Sequence, residues 1–467
     1  MMPSTDYVSA TTFAEQFASL LRRPVPEADA RHLMRLVADT VAIAAYARRK
    51  GIGACAVDEP AMPQDGPAEI WGTDRRADPA TAAFLNGTAA EALDFQEVFI
   101  DGRNNGHAAV VIVPALIALD STGREAGGER LLRALRIAFA ANAFLARALG
   151  RGHREGRPGF RTTSLTAPIA AALAGGALLS DNPSVAGHAA AICASSLPAG
   201  LLAAMSPDTG SFSVDKDLSV GFSARHALDC ARLAMRGTTG PASALSGPRS
   251  WLASYGFGSD DERLLLGDPE GVDLEKYALK IFPANYGCQC AIRNALDLAA
   301  EVTPEDVEAL DIHVKSSSAS SLSTSTINTH VSARFSLKYA VASAFCRRRS
   351  VLADFEGESM ADPEVLRFME RIAVHGDAAM QARHEAEGVF PCRTVLRVKG
   401  GKTRTAERVT PYDGLTPEAR DREVSAKIDS LSDTRSADRL SRLLAATGPE
   451  AMAHIHGIFS QPRGGTT

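Results

Sequence analysis

The chain has 467 residues, of which 45% are hydrophobic and 22% are charged, a balance typical of a globular protein with more than one core. Its formal net charge of -5 offers no basic surface for nucleic acid. We therefore expect two or three domains and no nucleic-acid partner.

The N-terminal 17 residues contain two acids and lack an apolar core segment, which argues against a signal or transit peptide. The longest apolar stretches, Ala167 to Leu179 and Ala186 to Met205, are interrupted by Pro, Gly, His and Ser, which argues against a membrane span. A cytoplasmic protein without a membrane partner is therefore expected.

Apolar residues recur at helical spacing from Asp6 to about Leu265, and alanine dominates these segments. Because alanine has the best helix propensity and a short side chain, such helices can pack closely. This pattern predicts a large all-helical domain at residues 1–268. Its predicted helices are Thr11 to Leu21, Asp29 to Arg48, Pro79 to Leu93, Ala108 to Leu119, Glu129 to Leu149, Leu165 to Leu179, Ser184 to Met205, Gly221 to Met235 and Ser250 to Ala253.

The predicted helix Pro79 to Leu93 ends beside Asp94, and a loop from Gln96 to Gly106 then leads to His107 at the start of the next helix. An acid at one helix end facing a histidine at the next helix start is a workable geometry for proton transfer. Without further information, an ordinary turn residue and a packing residue are the better interpretation of this pair.

The periodicity changes after about Gly271, where alternating segments predict strands and a hairpin. Residues 269–410 are therefore predicted to form a smaller α+β domain. Its predicted elements are a strand at Leu310 to Val314, helices at Ala333 to Cys346 and Asp362 to Ala373, and a hairpin of Thr394 to Val398 and Thr403 to Val409 around Gly400 and Gly401. The serine-rich stretch Ser316 to Ser325 predicts a loop.

Helical spacing returns in residues 411–467, at Pro417 to Ser430, Asp433 to Ala446 and Pro449 to Phe459, with Thr416 as the cap of the first helix. We expect these helices to pack on the helical domain, which would make that domain discontinuous in sequence. The predicted fold class is therefore mainly α, with a smaller α+β lid domain.

Seven cysteines, an odd number, do not predict a disulfide framework in a chain of this length. Cys288 and Cys290 form a C-x-C, but no second Cys or His pair follows at zinc-ribbon spacing, so buried thiols are favoured over ligands. Motifs of P-loop, dinucleotide-binding and serine-hydrolase proteins are also missing from the sequence. No metal site is predicted.

Several short motifs, in this order and spacing, resemble the MmgE/PrpD family over nearly the whole chain. They include Leu85 to Ala89 leading into Asp94 and Phe95, Pro114 to Leu116, Lys280 to Pro283, and Ala333 to Ala340. The family includes 2-methylcitrate dehydratases, cis-aconitate decarboxylases and iminodisuccinate epimerases, of which the last match best. The resemblance implies a homodimer, a site between the two domains, and no metal or organic cofactor.

The resemblance also implies catalytic roles for residues that match the family motifs, namely Asp94, His107, Lys216, Lys280 and Tyr339. This chain has Arg161 and Asn285 where the family has histidines, and these two residues and Arg103 are candidates for substrate binding. The residue types themselves leave other roles open: Lys216 fits a solvated loop, Lys280 a snorkelling side chain, and Tyr339 a core residue with a satisfied hydroxyl.

The family's reactions place negative charge on a carbon next to a carboxylate, which fixed cations stabilise. Arginine binds a carboxylate bidentately, and asparagine cannot transfer protons, so this site has less acid/base capacity and more capacity to hold substrate. Epimerisation needs one proton-transferring group on each face of a carbon. We therefore expect a cofactor-independent epimerase of a small amino- or imino-dicarboxylate, similar to iminodisuccinate epimerase. A 2-methylcitrate-type dehydratase, a cis-aconitate-type decarboxylase and a non-catalytic protein that binds di- or tricarboxylates stay open as alternatives.

Overall fold

The computed structural model describes residues 7–56, 66–101, 104–122, 127–150, 159–206, 211–255, 262–446, 455 and 458–459. The chain divides into two compact units. The first unit contains residues 1–202, 214–279 and 425–467, and the second contains residues 203–213 and 280–424. For comparison, the sequence pattern placed the two boundaries after residues 268 and 410.

Helices dominate the described part of the chain, which confirms the prediction of a mainly α fold with a smaller α+β part. The helices are α1 (Ala10–Glu15), α2 (Ala18–Arg22), α3 (Glu27–Lys50), α4 (Pro79–Glu91), α5 (Ala109–Asp120), α6 (Gly127–Gly150), α7 (Thr162–Leu179), α8 (Pro183–Ser195), α9 (Asp215–Met235), α10 (Trp251–Tyr255), α11 (Gln289–Glu301), α12 (Ser316–Ser321), α13 (His330–Arg334), α14 (Leu337–Arg347), α15 (Pro363–Met369), α16 (Ala378–Glu387), α17 (Pro417–Leu431) and α18 (Ala437–Ala445).

Short strands accompany the helices in both units. They are β1 (Ala68–Glu69), β2 (Arg76–Ala77), β3 (Val98–Asp101), β4 (Asn104–Gly106), β5 (Met205–Ser206), β6 (Ser211–Phe212), β7 (Tyr277–Ala278), β8 (Val307–Lys315), β9 (Ile372–Asp377), β10 (Cys392–Val398) and β11 (Lys402–Arg408).

The core of the first unit depends on small residues that let helices approach closely. Every residue of α4 is buried, and α4 packs against α9. At the crossing, a Cβ on Gly221 of α9 would lie 2.1 Å from Thr88 Oγ1 and 2.6 Å from the Phe84 carbonyl oxygen of α4. Because backbone cannot yield to such a clash, glycine is required there. This close approach brings the end of α4 next to the beginning of α9.

The second unit is built on a four-stranded sheet in the order β11-β10-β8-β9. Its central strand β8 pairs antiparallel with β10 and parallel with β9. The β10–β11 hairpin turns at Gly400 and Gly401, whose φ angles of 85° and 83° favour glycine. Helices α11 and α14 pack against each other in the same core. The predicted strand at Leu310 to Val314 and the predicted hairpin are both confirmed.

Four sequence predictions are corrected by local backbone chemistry. The predicted helix Thr11 to Leu21 is broken at Gln16 and Phe17, and the helix predicted to reach Met205 ends at Ser195, three residues before Pro198. The predicted helix Ala333 to Cys346 restarts at Ser336, whose hydroxyl accepts the Tyr339 N–H and caps α14. The serine-rich segment predicted as a loop contains α12.

Two further predictions missed strands. The segment predicted as the helix Asp362 to Ala373 contains α15 but continues into β9, and the segment interpreted as a loop after Gln96 contains the paired strands β3 and β4.

At the C-terminal end, the Thr416 hydroxyl accepts the Ala419 N–H, which confirms its predicted cap. The predicted helix Pro449 to Phe459 lies outside the described residues except for 455, 458 and 459.

One described helix, α7, is long and apolar enough to cross a membrane by length and composition, and 89% of its most apolar window is buried inside the fold. Core helices of globular proteins meet the same criterion, so this helix is weak evidence for a membrane span.

A buried ion pair anchors the C-terminal segment to the rest of the first unit. Lys427 Nζ lies 2.6 Å from Asp39 Oδ1 of α3 and donates to the Phe95 carbonyl oxygen at 2.7 Å. It also lies 3.9 Å from the centroid of the Phe95 ring. The Lys427 and Asp39 side chains are 3% and 1% exposed. The C-terminal part of α17 is therefore held by charge as well as by apolar packing.

We expect Lys427→Met to destabilise the protein by about 3 kcal/mol, because removing one partner leaves the buried Asp39 carboxylate without its cation. The measurement is the midpoint of denaturant unfolding, with Lys402→Met as control because Lys402 is exposed on β11. Equal midpoints for both variants would contradict this role of Lys427.

Candidate functional site

The end of α4 places two carboxylates in the interior of the first unit. Glu91 is the last residue of α4 and is 1% exposed, and Asp94 follows in a tight turn and is 5% exposed. Asp94 has a φ angle of 49°, a left-handed conformation that asparagine and aspartate tolerate better than most residues. The small residues of α4 let this turn lie deep in the fold.

Glu91 is the centre of a buried ion-pair network. Its Oε1 accepts hydrogen bonds from the Arg161 guanidinium and from Lys216 Nζ, the latter at 3.2 Å. Its Oε2 accepts a hydrogen bond from Gln96 Nε2 at 2.9 Å. Arg161 also donates to the Lys216 carbonyl oxygen and to Ser219 Oγ. Lys216, predicted to be catalytic, and Arg161, predicted to bind substrate, are therefore both bonded to a carboxylate of the protein itself.

The charges in this network fix its protonation states. Burial alone would raise the pKa of Glu91, but Lys216 and Arg161 outweigh burial and lower that pKa to about 2. Burial opposes the charged form of Lys216, yet Glu91, Asp217 and Asp94 raise its pKa above the ordinary value. At neutral pH Glu91 is therefore ionised and Lys216 is an ammonium.

Asp217 supports Lys216 from the neighbouring position on α9. Its Oδ1 lies 3.3 Å from Lys216 Nζ, and its Oδ2 accepts the Ala54 N–H at 3.1 Å. A Cβ on Gly53 would lie 2.3 Å from that Oδ2, and Gly53 has a φ angle of 62°, so both space and backbone favour glycine. Burial raises the pKa of Asp217, against the lowering effect of Lys216.

His107 precedes α5 and its ring is oriented by the backbone of Glu97. Its Nδ1 is hydrogen-bonded to the Glu97 carbonyl oxygen, and its backbone N–H donates to Thr163 Oγ1 at 2.9 Å. A carbonyl can only accept, so Nδ1 carries the proton and Nε2 is the basic atom of the neutral ring. When the ring is protonated, its charge is among the influences that lower the pKa of Glu91, so His107 belongs to the same electrostatic cluster.

The side chain of Glu97 caps α5 from inside the fold. Its Oε1 accepts the backbone N–H groups of Ala108 at 2.6 Å and Ala109 at 3.1 Å. Burial raises the pKa of Glu97 to about 8, and the nearby carboxylates of Asp39 and Glu91 act in the same direction. Glu97 is therefore a neutral acid at pH 7, and its backbone carbonyl oxygen is the group that orients the His107 ring.

A narrow pocket of the first unit is lined in part by His107. Two of its lining residues, Thr163 and Asn142, have further structural roles, because Thr163 binds the His107 backbone and Asn142 Nδ2 donates to Tyr277 Oη at 3.0 Å. The pocket is lined by Phe99, Gly106, His107, Ala108, Asn142, Ala146, Thr162, Thr163 and Thr166. Most of these side chains are apolar or neutral, so the histidine is the titratable group of this lining.

Lys280 begins the second unit in a loop that one glutamine holds in place. Gln289 Oε1 accepts the N–H groups of Ile281 and Phe282, and Gln289 Nε2 donates to the carbonyl oxygens of Phe282 and Ala284. The Lys280 side chain is 1% exposed. Four hydrogen bonds from one buried amide therefore fix the conformation of the loop that carries this lysine.

The other two candidates of the second unit have local structural partners. Asn285 Oδ1 accepts the Gly287 N–H at 3.0 Å and caps a short turn of helix. Tyr339 is fully buried in α14, and its hydroxyl donates to the Asp354 carbonyl oxygen at 2.6 Å, with the Ser359 carbonyl oxygen at 3.1 Å. A core role for the Tyr339 hydroxyl, one of the alternatives open from sequence, thus has direct support.

The structure brings four of the predicted residues into one cluster of the first unit, namely Asp94, His107, Arg161 and Lys216. It places Lys280, Asn285 and Tyr339 in the second unit, and Arg103 lies outside the described residues. Their catalytic and binding roles stay predictions.

Sequence reasoning missed Glu91, Glu97, Gln96 and Asp217, which organise the first-unit cluster. One signal was available: Glu91 is the single charged residue of an otherwise neutral, small-residue helix. A lone acid on such a helix needs a buried cation.

The MmgE/PrpD N-terminal domain model matches residues 11–263, and the MmgE/PrpD C-terminal domain model matches residues 282–446. A search of curated proteins returned no match. The two matched segments together include the candidate residues named above except Lys280, which lies between them.

We expect Glu97→Gln to become increasingly stabilising relative to the wild type as the pH rises from about 4.5 to about 8. In this range the unfolded wild-type chain releases the Glu97 proton and the folded chain retains it, so wild-type stability falls by at most about 1.4 kcal/mol per pH unit. The glutamine carbonyl can still accept the two N–H groups at the start of α5.

The measurement is the unfolding midpoint of both proteins at pH 5 and pH 8. Glu15→Gln is the control, because Glu15 is exposed and should leave the pH dependence of stability unchanged. A constant difference between Glu97→Gln and wild type at the two pH values would show that Glu97 is ionised in the folded protein.

Proposed function

Because the chain belongs to the MmgE/PrpD family, whose enzymes include dehydratases and epimerases, we propose that it is a cofactor-independent epimerase of a small amino- or imino-dicarboxylate. The proposed reaction removes the proton from the carbon next to a carboxylate and returns a proton to the opposite face. The observation that carries this proposal is the orientation of His107 by the Glu97 carbonyl oxygen, in the same electrostatic cluster as the Lys216 ammonium group.

His107 is the proposed base. Its Nδ1 proton is engaged by the Glu97 carbonyl oxygen, which fixes the tautomer and makes Nε2 the proton acceptor. Imidazole is the side chain most often used for proton transfer, so a histidine with a basic Nε2 fits the role of base. His107 also lines the narrow pocket described above.

Lys216 is the proposed electrostatic group, and we do not assign it the role of base. A lysine base must be deprotonated, whereas Glu91 and Asp217 raise the pKa of Lys216 and keep it charged. A fixed ammonium group near the reacting carbon stabilises the enolate that forms when the proton leaves. Because Glu91 already orients Lys216, the ammonium group needs little reorganisation during the reaction, and its free-energy cost is small.

Lys280 is the proposed proton donor for the opposite face, in preference to Tyr339. The Tyr339 hydroxyl donates to a backbone carbonyl and would have to leave that bond before reacting. Lys280 is carried by a loop that Gln289 holds rigidly, and such support keeps a catalytic group in position. Arg161 contributes positive charge, but its guanidinium is already bonded to Glu91, Lys216 and Ser219.

A dehydratase acting on 2-methylcitrate or a relative is the second candidate. The observation in its favour is the same charged Lys216, because an ammonium group can protonate a leaving hydroxyl as well as stabilise an enolate. The two candidates differ in product: dehydration creates a conjugated double bond that absorbs ultraviolet light, and epimerisation does not. Absorbance with a panel of hydroxy-tricarboxylates therefore separates them.

We expect the wild-type protein in heavy water to incorporate deuterium at the α-carbon of a dicarboxylate substrate, and His107→Gln to reduce the rate of incorporation by about 100-fold or more. The glutamine amide can donate to the Glu97 carbonyl oxygen in place of the ring but cannot take up a proton. Proton NMR of the α-hydrogen signal measures the exchange. His188→Gln is the matched control because His188 is a partly exposed histidine of α8.

Deuterium incorporation that persists unchanged in His107→Gln would remove His107 as the base. If no dicarboxylate that binds the wild-type protein exchanges its α-hydrogen and none yields an absorbing product, both enzymatic candidates fail.

A non-catalytic dicarboxylate-binding protein has one observation in its favour, the ion pairs that Arg161 and Lys216 both form with Glu91. Lys280→Ala distinguishes this alternative from an enzyme. We expect Lys280→Ala to lower kcat by at least about 100-fold, because alanine cannot return a proton to the second face. Steady-state kinetics and calorimetric binding are measured in parallel, with Lys338→Ala as control. Weaker ligand binding in a protein that never shows turnover would favour the non-catalytic alternative.

A further inference from the structure

Two cysteines and a histidine meet where α8 packs against α9, in the first unit. Cys193 lies in the last turn of α8, and His226 and Cys230 are four residues apart on α9, so their side chains share one face of that helix. One donor atom from each residue lies within 4.8 Å of the other two. No role in the proposed reaction uses these residues.

The spacing of these atoms suits a tetrahedral metal ion. Two sulfurs at 2.3 Å and one nitrogen at 2.0–2.1 Å from a zinc ion lie roughly 3.5–3.8 Å from one another. In the structure, Cys230 Sγ lies 3.5 Å from His226 Nε2. A small movement within the 4.8 Å limit would complete the arrangement with Cys193.

Charge and burial favour a divalent ion in this position. Cys193 and Cys230 are 0% and 1% exposed, and a buried site is stable when its charges cancel. Two thiolates and a neutral imidazole exactly offset the two positive charges of Zn²⁺, whereas a monovalent soft ion would leave one negative charge in the interior. Sulfur and imidazole ligands also select against Mg²⁺ and Ca²⁺, which prefer oxygen.

We propose that Cys193, His226 and Cys230 form a zinc site that is independent of the reaction centre. The fourth ligand is a water molecule or the hydroxyl of Ser196, which lies 3.1 Å from His226 Nε2 on the exposed side of the cluster. The site joins the end of α8 to the middle of α9 and so stabilises the packing of these helices. Sequence spacing concealed it, because Cys193 is far from the His226 and Cys230 pair along the chain.

The experiment uses the full-length protein, reduced and treated with a chelator, with Co²⁺ as a spectroscopic probe for Zn²⁺. We expect one equivalent of Co²⁺ to give a thiolate-to-metal charge-transfer band and the visible spectrum of a tetrahedral site. Added Zn²⁺ should displace Co²⁺, bleach these bands, and raise the Tm of the protein. Thiol titration before each experiment establishes that Cys193 and Cys230 are reduced.

The variants are His226→Gln and Cys230→Ser, with Cys55→Ser as the matched control. His226→Gln tests the site with little risk to folding because His226 is partly exposed, and circular dichroism monitors the fold of each variant. We expect both ligand variants to weaken Co²⁺ binding by more than the ~10–100-fold that loss of a supporting residue costs. Cys55→Ser should bind as the wild type does.

Absence of the charge-transfer band in the reduced wild-type protein would overturn the proposal. A band of wild-type intensity in folded His226→Gln and Cys230→Ser would also overturn it, since the metal would then be bound elsewhere. Because these readouts do not involve turnover, their result is separate from that of the proposed function.

Discussion

The interaction on which the first unit's candidate site depends is the buried carboxylate of Glu91 with its two cations. Arg161 and Lys216 are each 3% exposed, and a buried charge without a partner is unfavourable by several kcal/mol. Glu91 supplies that partner and accepts Gln96 as well. The carboxylate thereby stays ionised, and Lys216 stays protonated. The chemistry we propose for the site follows from this one pairing.

The fold makes the pairing possible through the close approach of α4 and α9. Because Gly221 has no side chain, the backbone of α9 can lie directly against α4 at this point. The close approach brings Glu91 at the end of α4 to Lys216 in the first turn of α9. Arg161 reaches the same carboxylate from the residue before α7. The environment of Glu97 differs from that of Glu91, because Glu97 faces two backbone N–H groups and other acids instead of cations. Two buried glutamates six residues apart therefore have opposite protonation states at neutral pH.

The sequence was sufficient to predict the mainly α fold, the α+β part, the hairpin around Gly400 and most long helices, because apolar periodicity and turn residues are local signals. It could not predict the helix breaks at Gln16 and Ser336, because a single cap or packing contact determines where a helix ends or restarts. The resemblance indicated His107, Lys216 and Arg161, but not that Glu91 forms ion pairs with two of them. Such a pairing depends on a contact between residues 125 positions apart, which no local pattern reports.

The protonation state of Lys216 tests the account most directly. In protein carrying ¹³Cε-labelled lysine, the Lys216 resonance can be assigned by its loss in Lys216→Met and followed by NMR as the pH is raised from 6 to 10. The account predicts no titration of this resonance over that range, because Glu91 and Asp217 hold the ammonium form. A titration near neutral pH would contradict it and would make Lys216 a base, with Glu91 no longer its ionised partner.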